Sequence, residues 1–457
     1  MALERYDVVV LGGGPAGYPA AIRAAQLGGS VCLVEKDRLG GVCLNWGCIP
    51  TKTLHGTAHL VETASSADGT GTRGRLEVDP ADLLAHKNRV VKGLVSGVAR
   101  LLERRGIEVV RGEGRITGPG EIDVEGHGKV AGKSLIVATG SSEMALPGME
   151  FDHQRILGST DLLDLGRIPE SMIIIGGGVI GCEFASIFNA FGTKVSIVEM
   201  LPTIVATEDA GVVRFLQTLM KKRGISLHLG TRVASLKRSD GGVTASLEDG
   251  SPLTAELALV SVGRRPNITD IGLEKAGVET KNGAIRAGED MRTSAEGVFA
   301  AGDVTGGWLL AHVATREGVT AAENALGGDE RVDYSAVPST IYTLPEVSRV
   351  GMTEKEAAGR GLETSTGRFP FAASGKAKGL REEEGFVKWV AEKGSGKLLG
   401  LHVIGPQATE LLPAGIIAVG SGMTASDMAR FMFPHPTLSE AIGEAAEAVE
   451  GRAINIL

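Results

Sequence analysis

Cysteine is scarce in this chain, four in 457 residues, and that scarcity excludes a fold stapled by disulfides. Basic clusters are missing too. The net charge is −8, and no basic run is longer than Lys221-Lys222-Arg223, which reads as a solvated helix end. Neither a nucleic-acid surface nor an anionic-membrane surface is expected. No apolar run reaches transmembrane length, and the N-terminus, MALERYDVVVLGGG, has neither the basic start nor the cleavage site of a signal peptide. The expectation is a cytoplasmic protein with no membrane segment, in which Cys32 and Cys182 are buried packing thiols. Glycine, by contrast, is plentiful, with 66 residues in a chain long enough for several domains.

Many of those glycines fall in a repeat. Residues 7–35, DVVVLGGGPAGYPAAIRAAQLGGSVCLVE, align without a gap to residues 171–199, SMIIIGGGVIGCEFASIFNAFGTKVSIVE. Each copy reads as strand, glycine turn, helix, glycine turn, strand and a terminal Glu. Gly12, Gly14 and Gly17 fit the dinucleotide fingerprint, as do Gly176, Gly178 and Gly181. In each set the roles are a tight turn, backbone approach to a pyrophosphate at a helix N-terminus, and close helix–strand packing. Glu35 and Glu199 fall where a carboxylate takes both hydroxyls of an adenosine ribose. A carboxylate at Glu199 repels a 2′-phosphate, so the second unit is expected to prefer NAD(H) to NADP(H). Two such units imply electron traffic between a flavin and a nicotinamide.

Within GGVCLNWGCIP, Cys43 and Cys48 are five positions apart. In a regular helix their Cα atoms would be roughly 8–9 Å apart, beyond disulfide reach. Gly47 and Pro50 supply a bend if the sulfurs bond. TKTLHGTAHLVETA then reads as a helix, placing the thiols in or before its first turn, where the dipole and Lys52 lower a thiol pKa. Three readings stand on the residues alone: packing cysteines, a redox pair, and a zinc site with His55 and His59. For the last, the six-residue spacer is short of the usual finger spacing. Near the other end, FPHPTLSE sets His435 five residues before Glu440. It reads either as a Thr437/Glu440 capping box beside a surface histidine, or as a proton-transfer histidine oriented by Glu440.

The motifs GGVCLNWGCIPTK, GGGVIGCEFA, VGRRPN, VFAAGDVTGG, LAHVATREG, TLPEV and HPTLSE, in this order over essentially the whole chain, resemble those of the pyridine nucleotide-disulfide oxidoreductases. They are most similar to the members that oxidise dihydrolipoamide. The resemblance implies an α/β fold with two Rossmann-like domains, for FAD and NAD, and a C-terminal α+β dimerisation domain. The implied limits are 1–145 for the FAD domain with the redox disulfide, 146–268 for the NAD domain, 269–336 for a central segment completing the FAD site, and 337–457 for the interface domain.

The resemblance also assigns residues. FAD would lie along the first unit with Glu35, Gly114, Thr139, Gly140 and Ser141, with Asp303 on its ribitol and Leu309, Leu310, Ala311 and His312 beside it. NAD would take the second unit, Gly176 through Glu183 with Glu199, and Val233 and Gly263 near its adenosine. Cys43 would exchange with lipoamide and Cys48 face the flavin in a redox disulfide. Lys52 and Glu183 would form an ion pair nearby, and His435 with Glu440 would move the substrate proton from the neighbouring subunit of a homodimer. No resident metal is implied. The partner would be the lipoyl domain of a separate acyltransferase or glycine-cleavage protein, with no lipoyl domain fused in front of residue 7. Other readings are an NADH-dependent reductase of another disulfide and a non-catalytic flavin-bearing docking subunit. Two positions depart from the family pattern: Val42 stands where many relatives have Thr, and Phe433 where many have His.

Overall fold

In the computed structural model, which describes residues 4–67, 69–71, 74 and 76–456, each copy of the repeat forms the centre of a parallel sheet. In the first, β1 (Glu4–Leu11) lies between β2 (Val31–Glu35) and β6 (Gly128–Val137), with β3 (Glu108–Arg111) outside β2. β4 (Gly114–Gly118) and β5 (Glu121–Val124) extend the far edge antiparallel beyond β6. Val8, Val9 and Val10 are fully buried, as expected for a parallel strand covered on both faces. The last strand of this sheet, Val298–Ala300, pairs with β6, so the chain completes its first sheet only after passing through the second unit.

The helices of the first unit are α1 (Gly17–Gln26), α2 (Gly41–Trp46), α3 (Cys48–Ser65) and α4 (Pro80–Arg104). A two-stranded neck, β7 (Ser141–Glu143) against Arg264–Pro266, leads into and out of the second unit. There β8 (Ile156–Leu157) is followed by a single turn, α5 (Ser159–Leu162), then β9 (Ser171–Ile175), α6 (Val179–Ala190) and β10 (Lys194–Glu199). β9 is central, flanked by β10 and by Leu257–Val260, as β1 is flanked by β2 and β6. The C-terminal sheet is antiparallel, in the order Pro338–Ile341, Glu346–Gly351, Leu398–Gly405, Phe386–Glu392, Thr364–Pro370. Helices Ala408–Gly420 and Glu440–Val449 cover it.

One apolar cluster joins the three parts: Leu54 and Ala58 of α3, Phe184 and Phe188 of α6, and Ile341, Leu344 and Phe386 of the C-terminal region pack together. Charges join them as well. Lys221 and Lys222 end their helix exposed to solvent, as the sequence indicates, but Lys222 and Arg223 also bridge the parts. Both pair with Glu384, at 2.8 and 2.9 Å, and Arg223 also reaches Glu62 of α3 at 2.7 Å. Among the described residues no helix is long and apolar enough to cross a membrane.

Candidate active site

The two glycine turns are built alike because the same collisions shape them. Gly12 and Gly176 both have φ +104°, and a side chain there would run into the carbonyls of Ala138 and Ser261. A Cβ at Gly17 or Gly181 would strike the carbonyl of Gly12 or Gly176, so these glycines let each helix close on its strand. Gly14 and Gly178 differ. A Cβ at Gly178 meets nothing within 4 Å, and at Gly14 only the Gly41 Cα, 3.8 Å away. This open backbone at a helix N-terminus is the shape that a pyrophosphate fills.

Gly17→Ala should therefore overpack and lower the thermal midpoint of the apoprotein, at a cost of about 1–3 kcal/mol. Gly14→Ala should melt near wild type yet lose dinucleotide. Melting curves and flavin-to-protein ratios test this. Equal melting loss in both variants would remove the cradle assignment.

Glu35 and Glu199 do more than the sequence indicates. Glu35 accepts hydrogen bonds from Gly13 N (2.7 Å) and Asp37 N (2.8 Å), and Glu199 accepts them from Gly177 N (2.6 Å) and Leu201 N (2.7 Å). A carboxylate has about four lone-pair sites, so each can brace its turn and still take ribose hydroxyls. Gly13 and Gly177 thus hold the two carboxylates through their N–H groups, a role that the fingerprint reading passed over. Their signal was the middle glycine of the Gly-Gly-Gly run common to both copies.

The thiols are anchored to the first turn: Gly40 N donates to Gly13 O at 2.8 Å, and Gly41 rests on the Gly14 backbone. Gly47 (φ −141°, ψ −113°) separates α2, which carries Cys43, from α3, whose first residue is Cys48. Pro50 sits in the first turn of α3, where its missing N–H costs nothing, so the break is at Gly47 alone. Both cysteines are half-buried free thiols with a hydrogen bond between them. That bond, with a smaller contribution from the Lys52 charge, brings the Cys48 thiol down to about 7. The same bond, with burial, pushes Cys43 far up. Lys52 therefore acts as expected, but the neighbouring thiol has the larger effect.

Lys52 Nζ lies 2.9 and 2.8 Å from the two carboxylate oxygens of Glu183, which α6 carries across from the second unit. His55 and His59 turn elsewhere: His55 Nε2 lies 3.2 Å from Thr343 O and His59 pairs with Glu382. Among the described residues no group of three or more His, Cys, Asp or Glu could hold a metal ion. Cys32 and Cys182 are buried.

At the neck, Ser141 Oγ donates to Asp303 at 2.5 Å, and Arg264 holds Ser141 through Nε and Nη2 at 2.8 and 2.7 Å. Thr139 Oγ1 donates to Asn267 O, and Gly140 O accepts from Asn267 N. Gly302 N, next to Asp303, donates to the buried Glu317 at 2.6 Å. Leu309 is exposed, Leu310 caps the helix beginning at Ala311, and His312 Nε2 lies 2.9 Å from Pro338 O. Gly114 is packed under Leu11, Ile122 and Val34. Val233 is half-buried at a strand start, and Gly263 O accepts from Met144 N.

His435 Nδ1 lies 2.8 Å from Glu440 Oε1, while Glu440 Oε2 accepts from Thr437 N at 2.8 Å. Those bonds outweigh burial and hold the Glu440 carboxyl below its ordinary range. The expected capping box forms only in half: Glu440 takes the Thr437 N–H, but the Thr437 hydroxyl does not cap the helix. The helix starts at Glu440 after Ser439, and the Thr437 hydroxyl bonds Pro434 O and Ser439 Oγ instead. The His435 side chain is 79% exposed, and within one chain no hydrogen bond or ion pair joins it to the thiols. Phe433 packs on Gly443, and Val42 on Gly47.

Residues 6–318 match the family described as Pyridine nucleotide-disulphide oxidoreductase, and residues 337–446 match its dimerisation domain. The chain is 43% identical over 475 residues to a dihydrolipoyl dehydrogenase of Bacillus subtilis, with both chains fully covered. It is 41% identical to a leghemoglobin reductase of Vigna unguiculata, over 97% of this chain and 88% of that protein. Among solved structures, LpdA from Mycobacterium tuberculosis is similar at TM-score 0.91 and 30% identity, covering 97% of this chain and 99% of that one. The HOCl-induced flavoprotein disulfide reductase RclA of Escherichia coli is similar at TM-score 0.88 and 27% identity, with 97% and 99% covered.

Proposed function

We propose, from the premise that the chain belongs to the pyridine nucleotide-disulphide oxidoreductase family, that it oxidises protein-bound dihydrolipoamide to lipoamide and reduces NAD+ with the electron pair. The observation that carries this reading is the hydrogen-bonded pair Cys43 and Cys48, seated on the first glycine turn beside the Lys52–Glu183 ion pair. Bound FAD would supply an acceptor for two electrons and a hydride donor to NAD+. On this reading residues 1–145 and 269–336 hold FAD, with Glu35, Asp303 and the open Gly14 turn as its contacts. Residues 146–268 hold NAD and 337–457 make the dimer contact.

His435, oriented by Glu440, takes a proton from the dithiol. The resulting thiolate attacks Cys43 Sγ, breaks the Cys43–Cys48 bond and leaves Cys48 as a thiolate. The second substrate sulfur then attacks the mixed disulfide, lipoamide leaves, and Cys43 is protonated. Two electrons and two protons have moved. The chain carries a dimerisation domain, and the exposed His435 beside Phe431 (57%) and Met432 (98%) supports a homodimer in which each subunit completes the other's site. The lipoyl group arrives on a separate acyltransferase or glycine-cleavage protein, in the cytoplasm. Similarity to a disulfide reductase and a leghemoglobin reductase supports a second reading, an NADH-linked reductase of another acceptor. NAD+ reduction by dihydrolipoamide, measured beside those acceptors, tests the choice.

Glu199→Arg should move the ratio of kcat/KM for NADPH over NADH upward by roughly 10- to 100-fold, the scale of relieving a like-charge contact. Because the substitution also strips the acceptor from Gly177 and Leu201, both absolute rates should fall. An unchanged ratio would place the specificity elsewhere.

A further inference from the structure

Cys48, Lys52 and His55 are at positions i, i+4 and i+7 of α3, on one helix face. That face meets a segment from the far end of the chain. The Lys52 ammonium lies over the Tyr342 ring, 4.6 Å from its centroid. The Tyr342 backbone N–H donates to Glu183 Oε1 at 2.9 Å, the same oxygen that Lys52 reaches. His55 stands edge-on to the Tyr342 ring at 5.7 Å, with its Nε2 next to the Thr343 carbonyl. The phenol is hydrogen-bonded to Thr409, which in turn donates to Glu346.

We infer that Tyr342 is a positioning residue for the redox thiols: it fixes the Lys52 ammonium between Glu183 and its own ring face, so that the charge remains turned toward Cys48. Lysine has a flexible four-carbon stem and this side chain is 30% exposed, so without the ring it would swing toward water. The ring attracts the ammonium through its negative face. The Tyr342 N–H occupies part of Glu183, leaving less of that carboxylate to cancel Lys52. The charged and titratable groups that act on Cys48 are Cys43 on α2, Lys52 on α3 and Glu183 on α6; behind them Tyr342 acts on Lys52, and His55, His59 and Glu346 lie around that pair. The inference rests on Cys48 being the acidic thiol of the proposed pair.

The test is the pH profile of iodoacetamide alkylation at Cys48, read by peptide mass, in the reduced full-length protein. Wild type should give a midpoint near the value of about 7. Tyr342→Phe, which keeps the ring, should overlay it. Tyr342→Met, a flexible apolar side chain without a ring, should move the midpoint up and slow alkylation at neutral pH by roughly 3- to 10-fold, following the thiolate fraction. If Tyr342→Met does not fold, pentafluorophenylalanine at 342 keeps the size, cancels the negative ring face and should give the same upward shift. A normal wild-type midpoint with an unshifted ringless or fluorinated variant overturns the Tyr342 inference alone. A wild-type Cys48 with no acidic midpoint overturns the thiol-pair reading, and this inference with it.

Discussion

Cys43→Ser should bring lipoamide-dependent turnover to background while the protein still binds FAD and still passes electrons from NADH to an artificial dye acceptor. The loss follows from bond chemistry, since a serine oxygen cannot form or release the sulfur–sulfur link that a substrate thiolate must enter. The retained activity follows from where Cys43 sits. It is on α2, and the contacts of the dinucleotide site, namely the Gly14 cradle, Glu35 and Asp303, do not depend on its sulfur. The hydroxyl that replaces the thiol can still donate a hydrogen bond toward Cys48, so the Cys48 thiol should stay acidic. Parallel lipoamide and dye assays measure the two activities. Lipoamide turnover that survives the substitution would take Cys43 out of the reaction.

His435→Gln should slow dithiol oxidation by about 10² or more near neutral pH, the scale of losing a positioned proton-transfer group. The fold should tolerate the change, because the second oxygen of Glu440 keeps its bond to Thr437 N and the dyad is at the surface. The deficit has a sign in pH. A free thiol ionises by itself near pH 8.5, so the variant should recover relative to wild type as pH rises toward about 9, where no base is needed. Rates from about pH 6.5 to 9 beside a melting curve test this. A near-normal rate with a lowered melting midpoint would mean that His435 only closes the end of its helix.

The parts of the site governed by local sterics were legible in the sequence. Gly12, Gly17 and their counterparts are demanded by collisions with backbone a few residues or one strand away, and the same spacing recurs at residues 176–181. The bend between the cysteines was readable from Gly47 for the same reason. What could not be read was long-range. Tyr342 and Thr343 are nearly three hundred residues from the helix face they complete, and although Thr343 opens the TLPEV motif, nothing in that motif says which helix it meets. The capping box at Thr437 is only half made because the Thr437 hydroxyl is taken up by Pro434 O and Ser439 Oγ, although Glu440 accepts from Thr437 N, and the helix begins two residues later than the box implies. The Lys222 and Arg223 pairs were hidden because Glu384 approaches only once the C-terminal sheet is folded against the second unit.

The central claim is that Cys43 and Cys48 join and part in every turnover. The direct measurement is alkylation of the oxidised holoenzyme, followed by peptide mass, before and after one equivalent of dihydrolipoamide. The predicted result is no label on either cysteine before the addition and label on both after it. Two freely labelled cysteines in an oxidised enzyme that still turns over lipoamide would contradict it.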